Sequence, residues 1–278
     1  MYARPRTIAE AAAAMQAPGA LALCGGTDVF PAHAGKPLAR PIVDLSRVEG
    51  LRRISETAEG FRFGAATNWS MIAKAALPPA FDGLKAAARE VGSVQIQNRG
   101  SIGGNLCNAS PAADGVPPLL ALDASVELAS EAGRRVLPLS QFITGYRRTA
   151  LLPGEIVSAV IVPRPGRNAA SAFVKLGARR YLVISILMAA AVVERDDAGR
   201  IAAAKVAVGA ASPVAQRLKA LEEAVKGLGP SERPSSLLRP EHLAILSPID
   251  DVRATAGYRI QAALAVVGEA LDRAAGVM

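Results

Sequence analysis

Cysteine and histidine are scarce, with two of each in 278 residues. Cys24 and Cys107 form no CxxC pair, so this chain alone offers no disulfide framework, iron–sulfur cluster or structural zinc. A reducing compartment fits that usage. His33 and His242 have no acid partner nearby in sequence, and neither reads as a catalyst. No GxSxG elbow, GxGxxG fingerprint or GxxxxGK[ST] loop is present. Without a metal set or a nucleophile set, a bound organic cofactor must supply any chemistry.

Long apolar runs are also missing. The longest, "YLVISILMAAAVV", stops well short of the ~20 residues that a membrane span needs. The N-terminal "MYARPRTIAEAAAAM" has no apolar stretch after its charges, unlike a secretory signal. A cytoplasmic protein without a membrane span is expected. Aromatic residues make up only 4%, so Ala, Val, Leu and Ile do most of the packing. The apolar share of 51% is enough for a sizeable core, and the length allows one large domain or two small ones.

The formal net charge is +8. Its arginines fall in scattered pairs (52–53, 134–135, 147–148, 179–180) without interleaved aromatics, which argues against nucleic acid. A basic surface of this kind suits an acidic partner or an anionic cofactor.

The apolar pattern predicts a small α/β unit in the first ~50 residues. In it a helix capped by Thr7, with Glu10 at the capping-box position, precedes the strands "ALALC" and "PIVDL". "RRISETAEGFRFGAAT" predicts a hairpin turning near Glu59-Gly60. Helices are expected from Trp69 to Ala75 and over "AFDGLKAAAREVG". "LLALDASVELAS", "RRVLPLSQFI" and "EIVSAVIVP" predict strands. "PRPGRN" (163–168) reads as a linker. Beyond it, two strands should turn at Asp197 to Gly199. A helix should start at Ser212 as N-cap with Pro213 at N1, and "GPSERPSSLLRP" should be a loop. "DDVRATAGYRIQAALAVVGEALDRAA" predicts a long closing helix.

Two glycine-rich segments interrupt this order. Cys24-Gly25-Gly26-Thr27-Asp28 follows a strand directly. Ser101-Ile102-Gly103-Gly104-Asn105 lies inside "NRGSIGGNLCNASPAAD", a stretch with little bulk. Paired glycines let backbone N–H groups converge on one point, the geometry of an anion nest. Thr27, Ser101 and Asn105 add short polar side chains. Two such segments facing one ligand would suit a pyrophosphate, although a glycine pair is also an ordinary turn.

The residues then become recognisable. "VQIQNRGSIGGNLCNASPAADGVPPLLALDA" closely resembles the flavin-binding signature of the molybdenum hydroxylase family, in its FAD-carrying medium subunit. "ALCGGTDVFP", "FVKLGARRYLVISI" and "SPIDDVRATAGYR" resemble further blocks of that family, in family order. The resemblance implies an α+β fold with a two-lobed FAD domain of the vanillyl-alcohol-oxidase (PCMH) type over 1–165, its lobes at about 1–52 and 53–165. A smaller α+β domain over 169–278 would carry a three-stranded antiparallel sheet and helices. It implies that Cys24, Gly25, Gly26, Thr27 and Asp28 hold the FAD pyrophosphate from one side and Ser101, Gly103, Gly104 and Asn105 from the other. Asp114 would contact FAD, Val157 would lie near it, Lys175 would sit near the flavin ring, and Tyr181 would lie on it.

Partners are implied as well. A large molybdopterin subunit would oxidise the substrate, and a small subunit with two [2Fe–2S] clusters would feed electrons to FAD, in a dimer of heterotrimers. Xanthine, carbon monoxide and N-heterocycles are the implied substrate classes. Some xanthine-oxidising relatives stack a phenylalanine on the flavin where this chain has Val91. The first loop has no histidine for covalent attachment, so non-covalent FAD is expected. The alternatives are a stand-alone FAD oxidoreductase with its own substrate site and a non-enzymatic nucleotide-binding module.

Overall fold

A computed structural model describes residues 1–277. The first lobe contains β1 (Tyr2–Ala3), α1 (Ile8–Ala14), β2 (Leu21–Leu23), α2 (Val29–Ala32) and β3 (Ile42–Asp44). Its three strands run parallel in the order β1-β3-β2. The central strand, Ile42-Val43-Asp44, is buried throughout, as a strand flanked on both sides should be. Thr7 caps α1 as expected by accepting from the Glu10 amide at 3.1 Å. The Glu10 carboxylate accepts instead from the Arg6 N–H at 2.7 Å, one residue short of a capping box.

The second lobe contains β4 (Ile54–Glu56), β5 (Gly60–Gly64), α3 (Trp69–Lys74), α4 (Asp82–Glu90), α5 (Val94–Arg99), α6 (Ile102–Asn108) and α7 (Val116–Ala121). It continues with β6 (Ser125–Ser130), β7 (Gly133–Pro138), α8 (Leu139–Phe142), β8 (Ile143–Gly145), β9 (Arg148–Thr149) and β10 (Ile156–Pro163). A five-stranded antiparallel sheet, β4-β5-β10-β6-β7, forms its floor. Phe61 and Phe63 from β5 meet Phe81, the first pair edge to face with centroids 4.8 Å apart. The predicted hairpin is present, and the expected strand "RRVLPLSQFI" stops at Pro138, where Leu139–Phe142 forms the short helix α8 instead.

The remaining chain forms β11 (Ala169–Leu176), β12 (Leu187–Arg195), β13 (Ile201–Gly209), β14 (Gln216–Arg217), α9 (Lys219–Ala224) and α10 (Ala256–Ala275). Three long antiparallel strands make up the expected sheet, and the two-residue β14 adds a short edge to it. This sheet is buried on both faces. Met188, Ala190 and Val192 join the core shared with α4 and α7, whereas Leu187, Ala189, Ala191 and Val193 join the core under α10. The alternation explains why β12 reads as one continuous apolar run.

Two helix starts differ from expectation. Ser212 caps no helix, because its hydroxyl accepts from the Ser247 amide at 3.0 Å and donates to the Ala211 carbonyl. The segment after it pairs as β14, so the helix begins only at Lys219. The closing helix begins at Ala256, after a Thr255 cap. The "GPSERPSSLLRP" segment contains a single 3₁₀ turn, Pro234–Leu237.

Asp250 to Ala254 form a loop around the Asp251 carboxylate. Burial alone would raise its pKa, but the Arg253 and Ala254 amides and the Arg259 guanidinium (2.8 Å) hold it at about 2. Arg259 is itself buried and also donates to the Ile186 and Ile249 carbonyls. A depressed carboxylate contributes stability that is complete above its unfolded pKa and is lost as pH falls through the folded value. Asp251→Asn should therefore lower the melting temperature at neutral pH, and the two melting curves should converge as pH drops from about 4 toward 2. A gap that stays constant over that interval would refute this account.

Candidate functional site

A cavity of about 450 Å³ opens between the two lobes. One wall is the carboxyl end of β2 and the loop that follows, the usual ligand position for parallel strands. The opposite wall is α6. Trp69, Val91 and the Ile156-Val157 start of β10 are also part of the lining. A bulge between Val157 and Ala159 breaks the pairing of β10 with β6 at this point.

The first loop is shaped by close approach. A Cβ on Gly25 would lie 2.0 Å from the Arg99 carbonyl oxygen, so only glycine lets the loop rest on the end of α5. Gly26 has φ +72°, and a Cβ there would lie 2.3 Å from the Phe30 ring. Among the described residues, the amides of Gly26, Thr27 and Asp28 donate to no protein group. Three consecutive free donors beside a cavity form an anion nest.

The second segment is a helix rather than an open loop. Its first-turn amides are already used, with Ile102 donating to the Thr67 carbonyl and Gly103 to the Ala65 carbonyl, each at 2.9 Å. Gly104 donates to the Ser101 hydroxyl at 3.1 Å. Gly103 must be small because a Cβ would lie 2.8 Å from Ala65. What α6 offers the cavity is therefore side chains. Asn105 lines the cavity, and its buried Oδ1 has no protein partner. An uncompensated buried amide oxygen is costly, so a ligand or water is expected to complete it.

Both thiols also line the cavity. Burial pushes the Cys24 thiol up, against the hydroxyl of Ser101. The Cys107 surface reaches the cavity, yet the surrounding protein and the neighbouring Cys24 push its thiol up to about 12. Both stay protonated at neutral pH and act as small, polarisable wall groups rather than nucleophiles. Glu155, which sequence reasoning missed, lies in the same lining. Arg135 grips its carboxylate with two bonds of 2.6 and 2.7 Å, which holds it below the usual range despite burial.

Ten of the thirteen predicted site residues line this one cavity: Cys24 to Asp28, Ser101, Gly103, Gly104, Asn105 and Val157. Asp114, Lys175 and Tyr181 do not. Lys175 on β11 donates to Asp114 at 2.8 Å and to the Glu90 carbonyl at 3.1 Å, and Ser185 donates to Asp114 at 2.6 Å. Burial pushes the Asp114 carboxyl up, and the Lys175 ammonium opposes that shift. Tyr181 is 67% exposed, with the Arg180 guanidinium 5.4 Å from its ring centroid. Trp69, the chain's one tryptophan, was another miss. It is buried under the cavity, and a Cβ on Gly115 would lie 2.3 Å from its ring. Its uniqueness in the sequence was the available signal.

Comparison with known proteins now fits this geometry. The family described as FAD binding domain in molybdopterin dehydrogenase matches residues 1–165, and the CO dehydrogenase flavoprotein C-terminal domain matches 172–274. A putative xanthine dehydrogenase FAD-binding subunit of Escherichia coli K12 is 30% identical over 93% of this chain and 90% of its own. The nicotinate dehydrogenase FAD-subunit of Eubacterium barkeri is 37% identical over 64% of this chain, and that match spans 62% of the subunit's length. A reconstituted CO dehydrogenase from Oligotropha carboxidovorans superposes with a TM-score of 0.90 at 25% identity, over 100% of this chain and 98% of the matched one. The two-lobed α+β fold and the sequence together place the chain in the family of FAD-binding subunits of molybdenum hydroxylases.

Proposed function

We propose that the chain binds FAD non-covalently in the cavity between the lobes and serves as the electron-transfer subunit of a molybdenum hydroxylase. The observation that carries this reading is the set of free amides at Gly26, Thr27 and Asp28, opposite the unpartnered Asn105. Amides give a pyrophosphate fixed donors that need no charge of their own. The Cys24–Asp28 loop supplies these donors and Thr27 adds a hydroxyl. Ser101 and Asn105 supply side chains, and Gly103 and Gly104 keep α6 thin. Val157 and Val91 give apolar wall toward the ring end. FAD, once bound, supplies the capacity to accept and release electrons.

Beyond the cavity, Lys175 and Asp114 are assigned to the ring end, because Lys175 is bonded to Glu90 and the adjacent Val91 lines the cavity. Tyr181 is assigned to the exposed edge there. The chain divides into an FAD domain over 1–165 and a C-terminal domain over 169–278, on the pattern of the two matching families. Electrons would arrive from the [2Fe–2S] clusters of a small subunit and leave to an external acceptor. A separate molybdopterin subunit would oxidise a substrate of the xanthine, carbon monoxide or N-heterocycle class. The names of relatives that act on nicotinate, xanthine and carbon monoxide support this range. A cytoplasmic dimer of heterotrimers is the assembly proposed.

Purified protein should take up FAD and acquire flavin absorption in the visible. Asn105→Ala should weaken FAD binding about tenfold, the effect of about 1.4 kcal/mol from one buried polar contact. Titration of apoprotein with FAD measures it, and unchanged affinity would remove Asn105 from the site. Lys175→Met leaves Asp114 buried without its cation, and should cost about 3–5 kcal/mol in urea unfolding. The cost should grow as pH rises, because a carboxyl with a raised folded pKa destabilises once it ionises. Pairing the change with Asp114→Asn should restore most of the loss. A single variant as stable as the parent would show that the pair bears no such strain.

A further inference from the structure

The hairpin between β8 and β9 carries an unusual residue. Arg147 has φ +50°, a left-handed conformation that is unfavourable for any residue with a Cβ. Its amide donates to the carbonyl of Ala109 at 3.0 Å, and Ala109 is itself left-handed (φ +44°) at the end of α6. Two strained residues thus meet where the hairpin touches the cavity wall. Such strain persists when something specific is gained from it. Here the gain is visible in the side chains. Arg147 Nη1 donates to Asn108 Oδ1 at 2.7 Å, and Asn108 Nδ2 donates to Asp28 Oδ1 at 3.0 Å. Asp28 belongs to the loop with the free amides, and Asn108 is the last residue of α6. The relay therefore ties one wall of the cavity to the other.

The bond also settles what the Asp28 carboxylate does. Asp28 carries one of the three free amides, and short acidic side chains readily fold back onto nearby backbone donors. An unrestrained Asp28 would compete with a pyrophosphate for the nest or repel it. Asn108 engages one carboxylate oxygen, none of the three amides bonds to that carboxylate, and the guanidinium bonded to the Asn108 amide oxygen polarises Asn108 as a donor.

We propose that Arg147 is a positioning residue for FAD binding, acting through Asn108 to hold Asp28 clear of the amide nest and fix the gap between the loop and α6. This rests on the reading of the cavity as the FAD site.

The test uses the full chain as apoprotein, with FAD titration and thermal melting measured side by side. Arg147→Gly removes the guanidinium and relieves the left-handed strain together. The apoprotein should melt at the same temperature or higher, yet bind FAD about five- to tenfold more weakly. Arg147→Lys can still donate to Asn108 and should recover most of the affinity. Adding Asn108→Ala to Arg147→Gly should cost no further affinity, since both break one relay. Wild-type-like FAD binding by Arg147→Gly overturns the proposal. So does a loss of affinity that only follows a drop in melting temperature, which marks a structural role. Failure of the parent protein itself to bind FAD would instead sink the site assignment, and the proposal with it.

Discussion

The backbone of Gly25 rests against the carbonyl of Arg99 so tightly that no side chain fits between them. That contact joins the two lobes. Gly25 belongs to the loop after β2 in the first lobe, and Arg99 ends α5 in the second. On the far side of Arg99, Gly100 lies beside Trp69, where a Cβ would come within 3.4 Å of the ring. Asn68 reinforces the junction by donating to the Asn98 carbonyl at 2.8 Å, and its side chain also caps α3. Loop, helix end and indole therefore form one continuous stack. The width of the cavity follows from it, because the same stack carries the free-amide loop on one side and the start of α6 on the other.

The two glycine pairs look alike in sequence but serve different physics. Gly26 keeps a left-handed backbone within the loop of free amides, while Gly25 permits the lobe contact. Gly103 permits the packing of α6 on Ala65, and its own amide is consumed in that packing. Only Gly104 is exposed at the wall. The cavity is thus asymmetric, with free backbone donors on one wall and side chains on the other. A single nest made from both segments would need two sets of free amides, and a helix N-terminus that satisfies its own first turn cannot provide the second.

Legibility followed the range of the interactions involved. The cores of the strands, of the hairpin and of the long C-terminal helix depend on local periodicity and turn residues, and were readable, whereas the ends of two expected strands belong to α7 and α8. The helical state of 102–108 was not, because glycine twice in seven residues opposes a helix. Packing on Ala65 and the Ser101 cap override that propensity. Ser212-Pro213 carried a good start signal, yet the chain that follows pairs with β13 instead, a contact that no local rule contains. At the site, the small residues of both segments could be read as a ligand cradle. Arg135, Asn108 and Arg147 could not, since they act on Glu155 and Asp28 from distant elements.

The C-terminal sheet has a part in the site without lining it. Its inner face packs on α4, where the Gly83 amide donates to Ser171 Oγ at 2.8 Å and a Cβ on Gly83 would meet the Ala172 carbonyl at 2.9 Å. The helix is therefore held at backbone distance from β11. Four residues along β11, Lys175 reaches back to the carbonyl of Glu90 at the other end of the same helix. Between these two anchors α4 cannot slide along the strand, and Val91, the residue after it, is set at the cavity wall. Because Lys175 also neutralises Asp114, the buried charge and the position of Val91 depend on one side chain. The second core, under α10, stabilises the opposite face of the same sheet. Packing there is transmitted to the Val91 wall of the cavity through strand and helix rather than through any residue that touches the cavity.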